Sequence, residues 1–206
     1  MPADTQNLEA IHQLQQEMRR CRLCIVAGFD IFPRAIFSGS PDAKMMIIGQ
    51  APGITEKEAG RPFNAGSGTR LFKWLSQAGI NEDWFRETQY MTAVTKCYPG
   101  HANSGSGDRV PSRTEQRLCR PFLDQEIDLI KPQLIVPVGK LAISLFYPNN
   151  TSLYTIIGTS KNLDGTKIIP LPHPSGASRW HQIEKNRSLI QKAIELIQST
   201  VHSINL

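Results

Sequence analysis

The sequence predicts an α/β fold, a three-layer α/β/α sandwich around a central, mainly parallel sheet. Two observations predict it. Short apolar runs of strand length recur along the chain, several ending at a glycine or cysteine, and longer segments striped at helical spacing separate them. Strands that alternate with helices lie side by side with the helices on both faces. Sheets of this kind bind ligands at the carboxyl ends of their strands.

The elements follow in order. Leu8, Ile11, Leu14 or Gln15, and Met18 form a helical stripe that delivers Cys21 and Cys24 at its end. Lys44 to Gly49 is an apolar run that ends at a glycine, a buried strand feeding the loop Gly49-Gln50-Ala51-Pro52-Gly53. A helix is expected from about Thr69 to Ala78, closed by Gly79. Tyr90 to Lys96 suits a strand leading into Cys97, and Thr114 to Ile130 a helix carrying Cys119, stopped by Lys131-Pro132. Leu134 to Val138 is a further strand, followed by a helix over Lys140 to Phe146. Lys167 to Leu171 is the last strand and feeds His173-Pro174-Ser175, while Ile190, Ala193, Ile194, Ile197 and Val201 stripe a closing helix. The loops after Gly49 and Leu171 both follow strands, so they should converge on one site. Ala102 to Ser112 has no apolar period and reads as a loop within one domain spanning 1–206.

The chain has 206 residues, of which 40% are hydrophobic, enough for one domain with a full-sized core. No apolar run approaches membrane-spanning length, so no membrane partner is expected. The formal charge of +5 is compatible with a polyanionic partner without demanding one. The chain is expected to act as a monomer.

Cys21, Cys24, Cys97 and Cys119 are the only cysteines. The Cys21-Arg22-Leu23-Cys24 pair has the spacing of thiolates that face one ion or cluster, and the two distant cysteines can complete a four-sulfur set. Two disulfides would suit a secreted protein. The start, Met-Pro-Ala-Asp-Thr-Gln, shows no basic stretch followed by an apolar segment, which makes a reducing cytoplasm the expectation. Spacing alone leaves zinc and iron–sulfur both open.

Five segments occur in one order: Gly49-Gln50-Ala51-Pro52-Gly53, Gly60-Arg61-Pro62-Phe63, Val94-Thr95-Lys96-Cys97, Cys119-Arg120-Pro121-Phe122-Leu123 and His173-Pro174-Ser175. Together with the cysteine spacing they resemble the uracil-DNA glycosylase superfamily, its families four and five in particular. The resemblance implies a 4Fe–4S cluster held by Cys21, Cys24, Cys97 and Cys119. It also implies a DNA partner containing uracil or another deaminated base, and hydrolysis of the bond from base to sugar. Such an enzyme extrudes the nucleotide and holds the base in a fitted pocket. Negative charge then builds on the departing base and positive charge on the sugar. The resemblance makes His173 the donor to the base oxygen, supported by backbone N–H groups of the Gly49 to Gly53 loop, and makes Phe63 the ring that stacks on the base; Gly49, Gln50 and Ala51 are expected to bind the substrate.

The sequence departs from both families. Family four has a glutamate where this chain has Gln50, and an asparagine that reads the uracil edge where this chain has Ala93. Family five also has alanine there and accepts more kinds of damaged base. Its catalytic aspartate falls in the stretch that is here Asn64-Ala65-Gly66-Ser67-Gly68, without a carboxylate. A replacement is expected in Gly107-Asp108-Arg109-Val110-Pro111, which matches a family segment with asparagine at the Asp108 position; counting forward from Cys97 instead places Asn103 nearby. Asp108 is either the group that orients water and stabilises the cationic sugar or a solvated loop residue. On the loop after His173, Ser175 and Arg179 are expected to meet DNA. Trp180 there is either a wedge or stacking residue or a half-buried anchor. Three rivals remain: a damage-binding protein without turnover, a protein whose His173 attacks the sugar to form a covalent adduct, and an electron carrier.

Overall fold

The computed structural model describes residues 5–102, 107–176 and 178–206. Among them a six-stranded sheet has the order β1-β3-β2-β4-β6-β5. The strands are β1 (Ser38–Gly39), β2 (Met45–Gly49), β3 (Tyr90–Ala93), β4 (Leu134–Pro137), β5 (Lys161–Leu163) and β6 (Thr166–Ile168). The four inner strands are mutually parallel and the two edges antiparallel. The helices are α1 (Thr5–Arg20), α2 (Leu23–Val26), α3 (Ile54–Ala59), α4 (Gly66–Gln77), α5 (Glu82–Thr88), α6 (Arg113–Ile130), α7 (Lys140–Ile143), α8 (Leu153–Ile156) and α9 (Glu184–Ser203).

The three layers follow from side-chain alternation along the strands. Met45 and Ile47 of β2, with Leu134 and Val136 of β4, pack with Leu71 and Leu75 of α4, Phe85 of α5, and Ile190, Ala193, Ile194 and Ile197 of α9. Met46, Ile48 and Ile135 point to the opposite face, where Ile11, Leu14 and Met18 of α1 and Leu123 and Ile130 of α6 cover them. Each of those fully buried aliphatic side chains contributes roughly 1.5–3 kcal/mol. α6 starts on a capping box in which the Ser112 hydroxyl accepts from the Glu115 N–H and Glu115 accepts from the Ser112 N–H.

Three boundaries differ from expectation. β3 stops at Ala93, short of Lys96. Beyond it the Val94 and Thr95 amides donate to the carbonyls of Gly49 and Gln50 at 3.0 and 3.3 Å, and the Lys96 amide turns away to the Cys119 Sγ at 3.3 Å. The last expected strand is divided by Pro170, which has no N–H, although the Ile169 and Leu171 amides still donate to β4 carbonyls. α7 ends at Ile143, where the expected helix ran to Phe146. β1, β5, α2, α3, α5 and α8 are too short to show a period and were not expected.

Candidate active site and cysteine pocket

All four parallel strands end at one cavity of about 520 Å³, lined by Gly49, Ala93, Val138 and His173 from the ends of β2, β3 and β4 and from beyond β6. β2 sits between β3 and β4, so the chain crosses to opposite sides of β2 and leaves a crevice above it. Gly49 pairs with Ala93 in register, which makes them neighbours on the cavity floor. Gln50, Ala51, Phe63, Asp108 and Ser175 also line it. Asn103 lies outside the described residues.

His173 is held from two sides. Gly139 has φ +85°, and a Cβ there would come within 3.0 Å of the His173 Cδ2, so a glycine is needed on both counts. The Ser175 N–H donates to His173 Nδ1 at 3.2 Å. Burial lowers the His173 pKa; the nearby Glu56 opposes that shift and His181 adds to it. The ring is therefore neutral at neutral pH, and with Nδ1 accepting, the proton sits on Nε2.

The loop after β2 is closed by a residue the sequence reading missed. Glu56, only 8% exposed, accepts from the Gly53 N–H at 3.0 Å, the Thr55 hydroxyl at 3.1 Å and the Asn64 N–H at 3.2 Å. It ties the Gly49 loop to the segment carrying Phe63. The one local signal was its position three residues after the helix cap at Gly53. A Cβ on Gly53 would lie 2.7 Å from both Glu56 Oε2 and Asp108 Oδ2, so the two carboxylates close on the same backbone atom.

Asp108 itself is exposed, at the lip of the cavity. A bridge between His101 and Asp108 and an Arg109 N–H bond to the Gly100 carbonyl at 3.0 Å fold its segment back. The buried Tyr98 hydroxyl faces it without a hydrogen bond of standard geometry; burial first, then the Asp108 carboxylate, push that hydroxyl up to about 12. Phe63 has φ +49°, and its ring tip lies 3.1 Å from where a Gly49 Cβ would be.

The four cysteines line a second, shared pocket formed by α2, the end of α1, the turn after β3 and α6. Burial pushes the Cys97 thiol up to about 12 and Cys24 to about 11, and in both cases the neighbouring cysteines push the same way. Cys119 is also raised by burial, against the opposing pull of Lys96. Thiols that oppose one another's ionisation are a donor set suited to a cationic centre. Among the described residues no three His, Cys, Asp or Glu side chains are close enough together to hold a single metal ion.

Two ion pairs join the pockets. Lys96 Nζ meets Glu126 Oε2 at 2.7 Å, with the side chains 3% and 0% exposed, and donates to the Ala93 carbonyl at 2.7 Å. Arg109, on the cavity at the strand ends, makes two 2.7 Å bonds to Glu115, which borders the cysteines. Burial alone would push Glu115 up, but the Arg109 fork and Ser112 hold its carboxyl below the usual range.

Of the three residues expected at DNA, Ser175 lines the cavity and Arg179 is exposed beside it. Trp180 packs half-buried against the core and beside Tyr154, with ring centroids 5.6 Å apart, and its carbonyl accepts from Asn186 at 2.7 Å. That packing favours the anchor over the wedge. No described helix is long and apolar enough to cross a membrane.

Residues 36–198 match the family described as the uracil DNA glycosylase superfamily. The chain is 30% identical over 196 residues to a type-4 uracil-DNA glycosylase of Thermotoga maritima, covering 89% of this chain and 96% of that protein. It is 32% identical over 138 residues to the type-4 enzyme of Pyrobaculum aerophilum, covering 66% and 62% of the two chains. A type-5 uracil-DNA glycosylase of Thermus thermophilus is 28% identical over 116 residues, 51% of this chain and 50% of that one. With a matched region that takes in the cavity at the strand ends, Cys97 and Cys119, and the parallel core of the sheet, the chain belongs to the uracil-DNA glycosylase superfamily.

Proposed function

We propose that this protein is a DNA glycosylase of base excision repair that hydrolyses the N-glycosidic bond of uracil, or of a related deaminated base, in DNA. The observation that carries the reading is one cavity, large enough for a base, in which a neutral His173, the Phe63 ring and the Asp108 carboxylate meet. An extruded uracil would lie against Phe63. As the bond to the sugar breaks, its electron pair leaves with the base, and His173 Nε2–H is the donor for the oxygen that takes up the charge. The sugar becomes cationic, water adds to it, and Asp108 is placed to accept the water's proton. With Nε2 protonated and Nδ1 engaged by Ser175, neither nitrogen of His173 offers a lone pair to the sugar. This favours hydrolysis over a covalent adduct.

The test is incubation with a uracil-containing oligonucleotide. Free uracil and an alkali-labile site are expected. His173→Ala should slow release about a hundredfold or more while leaving affinity for abasic DNA nearly intact. A retained DNA shift without release, a denaturation-resistant adduct, or a parental rate in the variant would overturn the reading.

We infer in the same way that Cys21, Cys24, Cys97 and Cys119 hold a 4Fe–4S cluster. Bound there, it would cross-link the end of α1, the turn after β3 and α6. The convergence of the four thiols on one pocket supports this. Protein purified without oxygen should be brown and contain about four irons and four sulfides per chain. Stoichiometric zinc without iron would refute it. Cys119→Ser should lose both the colour and much of the folded protein.

A further inference from the structure

Phe63 is one of four described non-glycine residues with positive φ, and the only one of them on the cavity. A bulky residue holds that backbone only when its surroundings impose it. The imposing group is Arg86 of α5. Its Nη1 donates to the Pro62 carbonyl at 2.9 Å and its Nη2 to the Phe63 carbonyl at 2.8 Å, a fork across two successive peptide units. The remaining surface of the guanidinium is also used. Nε meets Glu82 at 2.8 Å, the face lies 4.6 Å from the centroid of the Phe72 ring, and the side chain is 11% exposed. On the other side of Phe63, Gly68 leaves space that a Cβ would fill to within 1.9 Å of the Phe63 carbonyl oxygen. Arg86 does not border the cavity.

We propose that Arg86 is the positioning residue of the stacking platform: it fixes the left-handed backbone at Phe63, so that the ring covers the cavity beside Gly49 and captures the extruded base. This rests on the reading that Phe63 stacks on the base. A lysine supplies the charge but not the planar fork, so it should replace Arg86 poorly.

The test is a double-mutant cycle on the parent protein, read as affinity for duplex DNA carrying an uncleavable 2′-fluorinated uracil nucleotide and as kcat and KM on uracil-DNA. Arg86→Met should weaken capture about tenfold, mainly through KM, with Arg86→Lys recovering at most about a third of that loss. In a Phe63→Ala background, either Arg86 variant should cost less than about twofold, because the group it positions is gone. Glu82→Ala, which leaves the carbonyl fork in place, should be nearly neutral. Equal losses in both backgrounds would overturn the role of Arg86 and leave stacking intact. Unchanged capture in Phe63→Ala alone would remove the stacking reading and this proposal with it. If Arg86→Met does not fold, Arg86→Lys decides the same comparison.

Discussion

Asp108→Asn is expected to lower single-turnover excision of uracil at least about a hundredfold, with folding and affinity for uracil-DNA retained. The substitution keeps the size and one oxygen but removes the charge and the basicity, the two properties asked of this side chain. A hundredfold loss corresponds to roughly 2.7 kcal/mol of transition-state stabilisation, within the range for a group that faces developing charge. Geometry sets Asp108 apart from the other carboxylate of the cavity. Glu56 is buried and already accepts from Gly53, Thr55 and Asn64, so it has little capacity left for water. Asp108 is exposed on the same cavity, its Oδ2 against the Gly53 backbone. Exposure also suits a solvated loop residue, and the rate decides between the two. An unchanged rate would remove Asp108 from the mechanism and leave Asn103 or His173 to carry it.

What could be read from the sequence was whatever repeats locally. Ile11, Leu14 and Met18 recur at helical spacing and are all buried on one side of the sheet. The run from Lys44 to Gly49 has strand length and ends at a glycine where the cavity begins. The cysteines were legible as a set because thiols at that spacing have few other uses, and all four reach one pocket. Arg86 and Glu126 were not legible, and Glu56 was legible only as a helix-capping residue. What each does depends on partners set by the tertiary fold, the Asn64 amide for Glu56, the Phe63 carbonyl for Arg86 and Lys96 for Glu126. Trp180 could not be settled locally either, since its burial depends on Tyr154 and the core beneath α9. The edge strands β1 and β5 hold two and three residues, too few for a period to be seen.

Lys96→Met is expected to destabilise the protein by about 3–5 kcal/mol, the range for removing one partner of a fully buried ion pair. Glu126 would keep the hydroxyls of Tyr90 at 3.0 Å and Thr92 at 2.9 Å, but these neutral donors cannot replace a cation 2.7 Å away. Burial and the Glu126 charge hold the Tyr90 hydroxyl well above its usual pKa, so it stays a neutral donor to Glu126. The loss should reach both pockets. Lys96 Nζ supports the Ala93 carbonyl at the base cavity, and its backbone N–H supports Cys119. Replacing both partners, Lys96→Met with Glu126→Leu, should recover much of the stability because no charge is then left buried alone. The two apolar side chains cannot restore the bond to Ala93, so excision should stay impaired in the double variant while its urea midpoint recovers. A single-variant loss below about 1 kcal/mol would mean that water reaches the pair, and that it behaves as a surface ion pair does.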